Sequence, residues 1–317
     1  MSLAVCLLLY GFAIMVLAPL VLKGLARAQI GPRSQLIAWL GAMAAVAGSW
    51  SVAVVIALID LLRDVLDPRR PVLASCFSQL HDAAIGRYGT ATQAGLLVLV
   101  GLAALAATVL SIRVGRSLAR ARSCTHEHAR GVRIAGRHDS ELDAIVIDLH
   151  TPAAYCVAGR PHAIVVTSGA LESLDGRELS AVLAHERAHL DGRHHLLLAL
   201  TRGVASVLPR VDLFASGAVE VARLLEMCAD DAAARIHGSH TVARALFAMT
   251  EAMPNTPALG SGGADLDARL ERLTASGAPE PRTTARPRVI MAATAATAVM
   301  MVIPPAVGIA LCVPIPV

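Results

Sequence analysis

Four stretches of the 317-residue chain carry no charged side chain over the length a helix needs to cross a bilayer: residues 3–22, 36–59, 94–112 and 289–317. Helices buried in a soluble core rarely stay uncharged for so long. A hydrophobic content of 55% with only 3% aromatic residues is also too apolar for an ordinary soluble domain, so the surplus belongs in lipid. The first stretch does not read as a cleaved signal peptide, because it has no basic n-region and its positive charges, Lys23 and Arg27, follow it.

Basic residues close to membrane spans are retained on the cytoplasmic side. Lys23, Arg27 and Arg33 crowd the first loop, Arg113, Arg116, Arg120 and Arg122 follow the third span, and Arg282, Arg286 and Arg288 precede the fourth. All three clusters are cytoplasmic at once only if both termini face outward. The sequence therefore predicts a multi-pass protein of the bacterial inner (plasma) membrane in three parts. Residues 1–112 hold three transmembrane helices, 113–288 form a cytoplasmic domain with its linkers, and 289–317 supply a fourth helix and a short external C-terminus. The outer loop, residues 60–93, mixes both signs of charge and weakens the rule only locally.

The net charge of +4 is then mostly a topology signal, and membrane lipid is the expected contact. Direct nucleic-acid binding is not expected, since no basic stretch is interleaved with aromatics that could stack on bases. Cys6, Cys76, Cys124, Cys156, Cys228 and Cys312 include no C-x-x-C pair, and no structural disulfide is expected. In "CTHEH", Cys124, His126 and His128 read as part of a solvated linker and not as a second metal site.

Within the cytoplasmic domain, "DAIVIDL" from Asp143 and "AIVVT" from Ala163 read as short buried strands. "PAAYCVAG" between them could form an edge that captures an extended peptide, with Tyr155 near the cleft. Asp175 with Glu178 three positions on resembles a capping box and starts a helix at about Gly176. That helix carries "HERAH". His185 and His189, four residues apart, project from one face and can share one Zn²⁺. Glu186 is rotated about 100° from His185, beside the open coordination position, where it suits the general base of a zinc peptidase.

Two readings compete for the third ligand. The longer string H-E-x-x-H-x-x-G-x-x-H, through Gly192, ends at His195. The alternative is Glu226 on a later predicted helix, in "RLLEMCADDAAAR", which completes a His₂Glu site with one open position. Leu196 and the helical "LLLALTRGV" after His195 favour Glu226. Asp230, one turn beyond Glu226, is placed to accept a hydrogen bond from a ligand imidazole, with Arg223 as a further supporting residue. Asp231 reads as solvated, and His194 and His195 as helix-closing or substrate-facing residues. The apolar piece from Leu196 to Leu208 is too short to span and is expected either to rest on the membrane or to act as a core helix.

The run "PAAYCVAGRPHAIVVTSGALESLDGRELSAVLAHERAHLDGRHH", the later R-x-x-E-x-x-A-D-x-x-A and "ARLERL" resemble the BlaR/MecR-type membrane zinc metallopeptidases. The resemblance implies an α+β, gluzincin-like zinc-metallopeptidase domain inserted between transmembrane helices 3 and 4. It also implies zinc on His185, His189 and Glu226, with Glu186 catalytic. The protein partner it implies is a cytoplasmic transcriptional repressor of the BlaI type, cleaved in response to an external signal. After the fourth span only "CVPIPV" remains, which leaves no external penicillin-binding sensor, so the signal would come through the outer loop, the lipid or an external sensor partner. A quality-control protease of the HtpX type, degrading damaged membrane proteins, shares both motifs but usually places spans between them. A non-catalytic membrane receptor is the third reading.

Overall fold

The computed structural model of the chain describes residues 3–26, 31–66, 90–159, 161–251 and 262–275. The expected fourth span, the linker before it and most of the outer loop lie outside the described residues. Three long helices come first: α1 (Leu3–Ala26), α2 (Pro32–Leu66) and α3 (Thr90–Ala135). By length and composition, the windows Cys6–Gly24 and Pro32–Ile56 could each cross a membrane. Residues 94–112 form the first part of α3, where Val98, Leu102, Leu105, Val109 and Ile112 are exposed.

α3 does not stop where the charge-free run ends. It continues unbroken to Ala135, so Cys124, His126 and His128 lie on a helix, which corrects the expectation of a linker. The reason is tertiary: Ala129 and Val132 at its far end are buried against Ile145, Val157 and Val165 of the sheet. Burial of that apolar face holds a helix that the local sequence leaves ambiguous.

The sheet has four strands, β1 (Arg137–Asp139), β2 (Ala144–Ile147), β3 (Ala154–Val157) and β4 (Ala163–Thr167), in the order β1-β2-β4-β3. β2 and β4 are parallel, and the outer pairs are antiparallel. β3 is therefore an edge, paired on one side with β4 through Tyr155↔Val165 and Cys156↔Ile164. Successive side chains alternate between faces. Ile145, Val157 and Val165 meet α3, while Ala144, Ile164 and Val166 pack with Ala170 and Leu183 of the following helices. Tyr155 belongs to the α3 face and stacks near His128 at a ring separation of 5.6 Å, so it points away from the cleft side of β3.

Six helices follow: α4 (Ser168–Ser173), α5 (Gly176–Asp191), α6 (His194–Val207), α7 (Asp212–His237), α8 (Ser239–Glu251) and α9 (Gly262–Thr274). The start of α5 is the expected capping box: Asp175 accepts from the backbone N–H groups of Arg177 and Glu178, and Glu178 accepts from that of Asp175. Ala181 and Ala184 of α5 meet Ala233 of α7, Val242 and Ala243 of α8 and Leu273 of α9. These small residues let the backbones of α5 and α7 come close, which sets two functional helices side by side.

The largest core cluster joins α7 to the apolar helices. Leu213, Phe214, Val221, Leu224 and Leu225 pack with Leu22 of α1 and with Leu36, Trp39, Met43 and Val46 of α2. Gly217 permits this approach: a Cβ there would stand 2.2 Å from Met43 Cε and 3.1 Å from the Trp39 ring. Leu197, Leu198 and Val204 of α6 pack on the same cluster, although Leu196 and Leu200 remain exposed. α6 is thus a core helix on one side, packed against α3 and α7.

Candidate metal centre

His185 and His189 stand one turn apart on α5, and Glu226 comes from α7 alongside. The Nε2 atoms of the two histidines are 3.1 Å apart. Glu226 Oε2 lies 3.4 Å from His185 Nε2, and Oε1 lies 3.5 Å from His189 Nε2. A tetrahedral ion with bonds of about 2.0–2.1 Å holds neighbouring donors about 3.3 Å apart; the imidazole pair, and each imidazole with its nearer carboxylate oxygen, stand close to that, and with one atom taken from each residue the three donors lie within 4.8 Å of one another. The donor chemistry fits as well, being two imidazole nitrogens and one carboxylate with a fourth position left over. Among the described residues this is the single cluster of three or more histidine, cysteine or acidic groups with such convergence.

Each ligand candidate is held from behind. His185 Nδ1 donates to Asp230 Oδ1 at 3.1 Å, which leaves Nε2, once its proton is displaced, as the nitrogen that offers a lone pair to a metal. Asp230 is buried and is itself clamped by Arg269, whose Nε and Nη2 donate to both carboxylate oxygens at 2.8 Å. Arg269 Nη1 also reaches Glu226 Oε2 at 3.5 Å. One guanidinium of α9 thereby supports two acidic residues of α7, a bidentate geometry for which arginine is suited. Arg223, expected in this role, is not brought to the ligand set. It pairs with Glu220 one turn earlier on its own helix, at 3.0 Å. Arg269 sits within "ARLERL", so the segment was visible in the sequence, but its role was not. Asp231 pairs with Arg272 at 2.7 Å and stays away from the ligands.

His189 is held by a residue that the sequence left ambiguous. His194 opens α6 and places its Nδ1 2.9 Å from His189 Nδ1. With His189 donating, His194 must accept and stay neutral. Burial, reinforced by neighbouring His189, lowers the His194 pKa to about 4, which suits that role. The ring lies over Gly192, where a Cβ would stand 2.4 Å from His194 Nε2. The glycine of the longer string thus makes room for His194 and does not swing His195 to the metal. Arg193 in the left-handed region, with φ 48°, completes the turn from α5 into α6. His195 turns toward His162, with ring centroids 6.3 Å apart, and is absent from the cluster of donors.

Glu186 stands outside the three ligand candidates. Its carboxylate accepts from the backbone N–H of Cys156 on the edge strand β3. Burial raises its pKa against the opposing pull of His185 and His189. A carboxylate shifted upward is better matched to accepting and returning a proton near neutral pH. Cys156 faces the same side, and burial beside Glu186 pushes its thiol up to about 12. The thiol is therefore neutral and unreactive.

The electrostatics of the metal-free cluster yield a test. Burial works to lower the His185 pKa, but hydrogen bonds to Asp230 and Glu226 outweigh it and raise the value to about 9. Glu226, despite burial, is held well below the carboxylate range by both imidazoles and Arg269. Near neutral pH the site therefore holds a proton that zinc must displace. Apparent zinc affinity is expected to rise about tenfold per pH unit from pH 7 toward 9, since one proton leaves per ion bound. Competition titration against a chelator of known affinity checks this, and a flat profile over that range would show His185 neutral in the metal-free protein.

Peptidase family M48 matches residues 118–214. The matched stretch runs from α3 to the start of α7, and so includes His185, Glu186, His189 and His194 but ends before Glu226. A "Protease HtpX homolog" from Desulforapulum autotrophicum is 32% identical over 120 residues. That alignment covers 35% of this chain and 39% of the relative's length. No solved structure matches the chain. Both similarities are to peptidases, and the family match includes the helix that carries His185, Glu186 and His189.

Proposed function

We propose that the chain is a membrane-anchored zinc metalloendopeptidase whose ligands are His185, His189 and Glu226 and whose general base is Glu186. The observation that carries this reading is the convergence of three donors within 4.8 Å of one another, with the half-buried Glu186 carboxylate beside them and outside the donor set. When bound, Zn²⁺ would polarise a scissile carbonyl and make a water acidic.

The chain's own residues supply the rest. Glu186 accepts a proton from the attacking water and returns it to the leaving amine. Asp230 and His194 fix the tautomers of His185 and His189, and Arg269 holds Glu226 ionised. β3, an edge strand among the described residues and adjacent to α5, can take an extended peptide as an added strand and lay its backbone past Glu186.

In the cell we assign the protein to the bacterial plasma membrane, multi-pass, with the peptidase domain cytoplasmic and both termini external. Its substrate on this reading is a cytoplasmic regulator such as a BlaI-type repressor, released by a signal from outside or from an external sensor partner. The core that α7 shares with α1 and α2 offers a mechanical link from membrane to metal site. Similarity to the HtpX homologue favours a second reading, quality control of membrane proteins. Quantitative proteomics of cells in which Glu186→Gln replaces the wild-type gene separates the two. Accumulation of one or two soluble regulators is expected for signalling, whereas accumulation of many membrane proteins would select quality control.

A further inference from the structure

Beside the edge of β3 that is unpaired among the described residues, α3 supplies a floor. The helix crosses beneath the sheet one strand at a time. Gly136 lies against Ile145 of β2, Arg133 donates to the carbonyl of Pro161 just before β4, and Ala129 meets Gly159 just after β3. The His128 ring lies 5.6 Å from that of Tyr155 on β3. Further toward its N-terminus α3 meets α6, where Gly203 approaches Ser117 and Leu118. The segment from Leu118 to His128, about 15 Å of helix, therefore bridges the gap between β3 and α6. An added strand lies about 4.8 Å out from its neighbour, so one extended chain fits over this segment.

Helical spacing decides which side chains of α3 face that chain. Ala129 and Val132 face the sheet. Thr125 and Arg122, one and two turns before Ala129, lie on the same stripe, whereas Arg120 and Glu127 turn to the opposite side. Thr125 is half-buried and Arg122 is exposed. Arg122 is thus the charge that the stripe presents beyond β3, and among the described residues no ion pair engages it.

Strand geometry decides which substrate residues reach that floor. Residues directly opposite each other on paired strands point to the same face, and the backbone groups of successive residues address alternate edges. Cys156 donates its N–H to Glu186, so its backbone addresses the unpaired edge, and Glu186 marks where a peptide bond comes to the general base. A substrate residue opposite Cys156 shares its side, toward α5. The two neighbours of that residue share the side of Tyr155 and Val157, toward α3.

We propose that Arg122 is a specificity-determining residue, selecting substrates that carry an aspartate or glutamate within two positions of the scissile bond. This deepens the peptidase reading and rests on it. The guanidinium offers planar donors that match a carboxylate, and its charge disfavours lysine or arginine at the same position. Arg122 stands outside the metal donors, so its effect falls on KM and not on kcat.

The test gives casein to the full-length, zinc-loaded protein in a neutral detergent and locates the cut bonds by mass spectrometry. One peptide spanning a cut bond is then made as a series with Glu, Ala or Lys at each of the two positions on either side. At one of these positions or more, Glu is expected to give a kcat/KM about tenfold above Lys, because attraction of one charge and repulsion of the other add. The ratio is expected to fall within about twofold in Arg122→Gln and to invert in Arg122→Glu. The Ala peptide, cut at equal rates by all three proteins, shows that each remains folded and loaded. Equal rates for Glu and Lys in the wild type, or a preference that survives both substitutions, would overturn the role of Arg122 and leave the peptidase reading standing. Failure of the wild type to cut casein would overturn both together.

Discussion

Replacing Glu226 with alanine is expected to strip zinc from the purified full-length protein, whereas His195→Ala is expected to retain it. The reason is distance: Glu226 places its oxygens 3.4 and 3.5 Å from the two imidazole nitrogens, and His195 faces His162 instead. Supporting partners of metal ligands are themselves worth about 10–100-fold in affinity, so loss of a direct ligand should exceed about 100-fold. Asp230→Asn should fall in the smaller range, because it weakens the hydrogen bond at His185 Nδ1 without removing a donor. Elemental analysis after dialysis, with circular dichroism to show that each variant remains helical, reads all three. Retention of one zinc per chain in Glu226→Ala together with loss in His195→Ala would make the longer histidine string the true site and withdraw the assignment.

Glu186→Gln is expected to keep the metal and lose turnover by about 10²–10⁴-fold, the usual contribution of a positioned general base. The amide is nearly isosteric with the carboxylate and Glu186 makes no ligand contact, so zinc content and thermal stability should stay close to the wild-type values. What the amide cannot do is accept the proton of the attacking water. Mass-spectrometric quantification of casein fragments, compared between wild type and variant at equal zinc loading, measures the loss. Unchanged cleavage by the variant would remove Glu186 from the mechanism and point to another base in the cleft.

Two features of this site resist reading from the chain alone. Arg223 was the nearer arginine in sequence to Glu226 and Asp230, yet its helical neighbour Glu220 holds it, and Arg269 from a separate helix takes the supporting position. Tyr155 and Cys156 are adjacent, but strand alternation sends Tyr155 to the α3 face and leaves Cys156 beside Glu186. The pairing with Glu220 and the alternation are local, but the arrival of Arg269 from another helix and the choice of which face of β3 meets α3 are set by packing between elements distant in sequence.

Relations set by local backbone geometry were legible from the residues themselves. The i, i+4 spacing puts His185 and His189 on one face of α5, the Asp175–Glu178 pair starts that helix, and the first two charge-free runs mark the helices whose windows Cys6–Gly24 and Pro32–Ile56 are long and apolar enough to cross a membrane. Helical rise and rotation, or the cost of leaving a helix start unsatisfied, are enough to determine these. The sequence favoured Glu226 over His195 as the third donor, and it is the tertiary structure that brings Glu226 beside the histidines. The turn at Gly192 and Arg193 buries His194 behind His189 and rotates His195 away, while small residues on α5 and α7 let Glu226 approach. A ligand borrowed from another helix depends on how two surfaces fit, and that fit exists only once the core has closed.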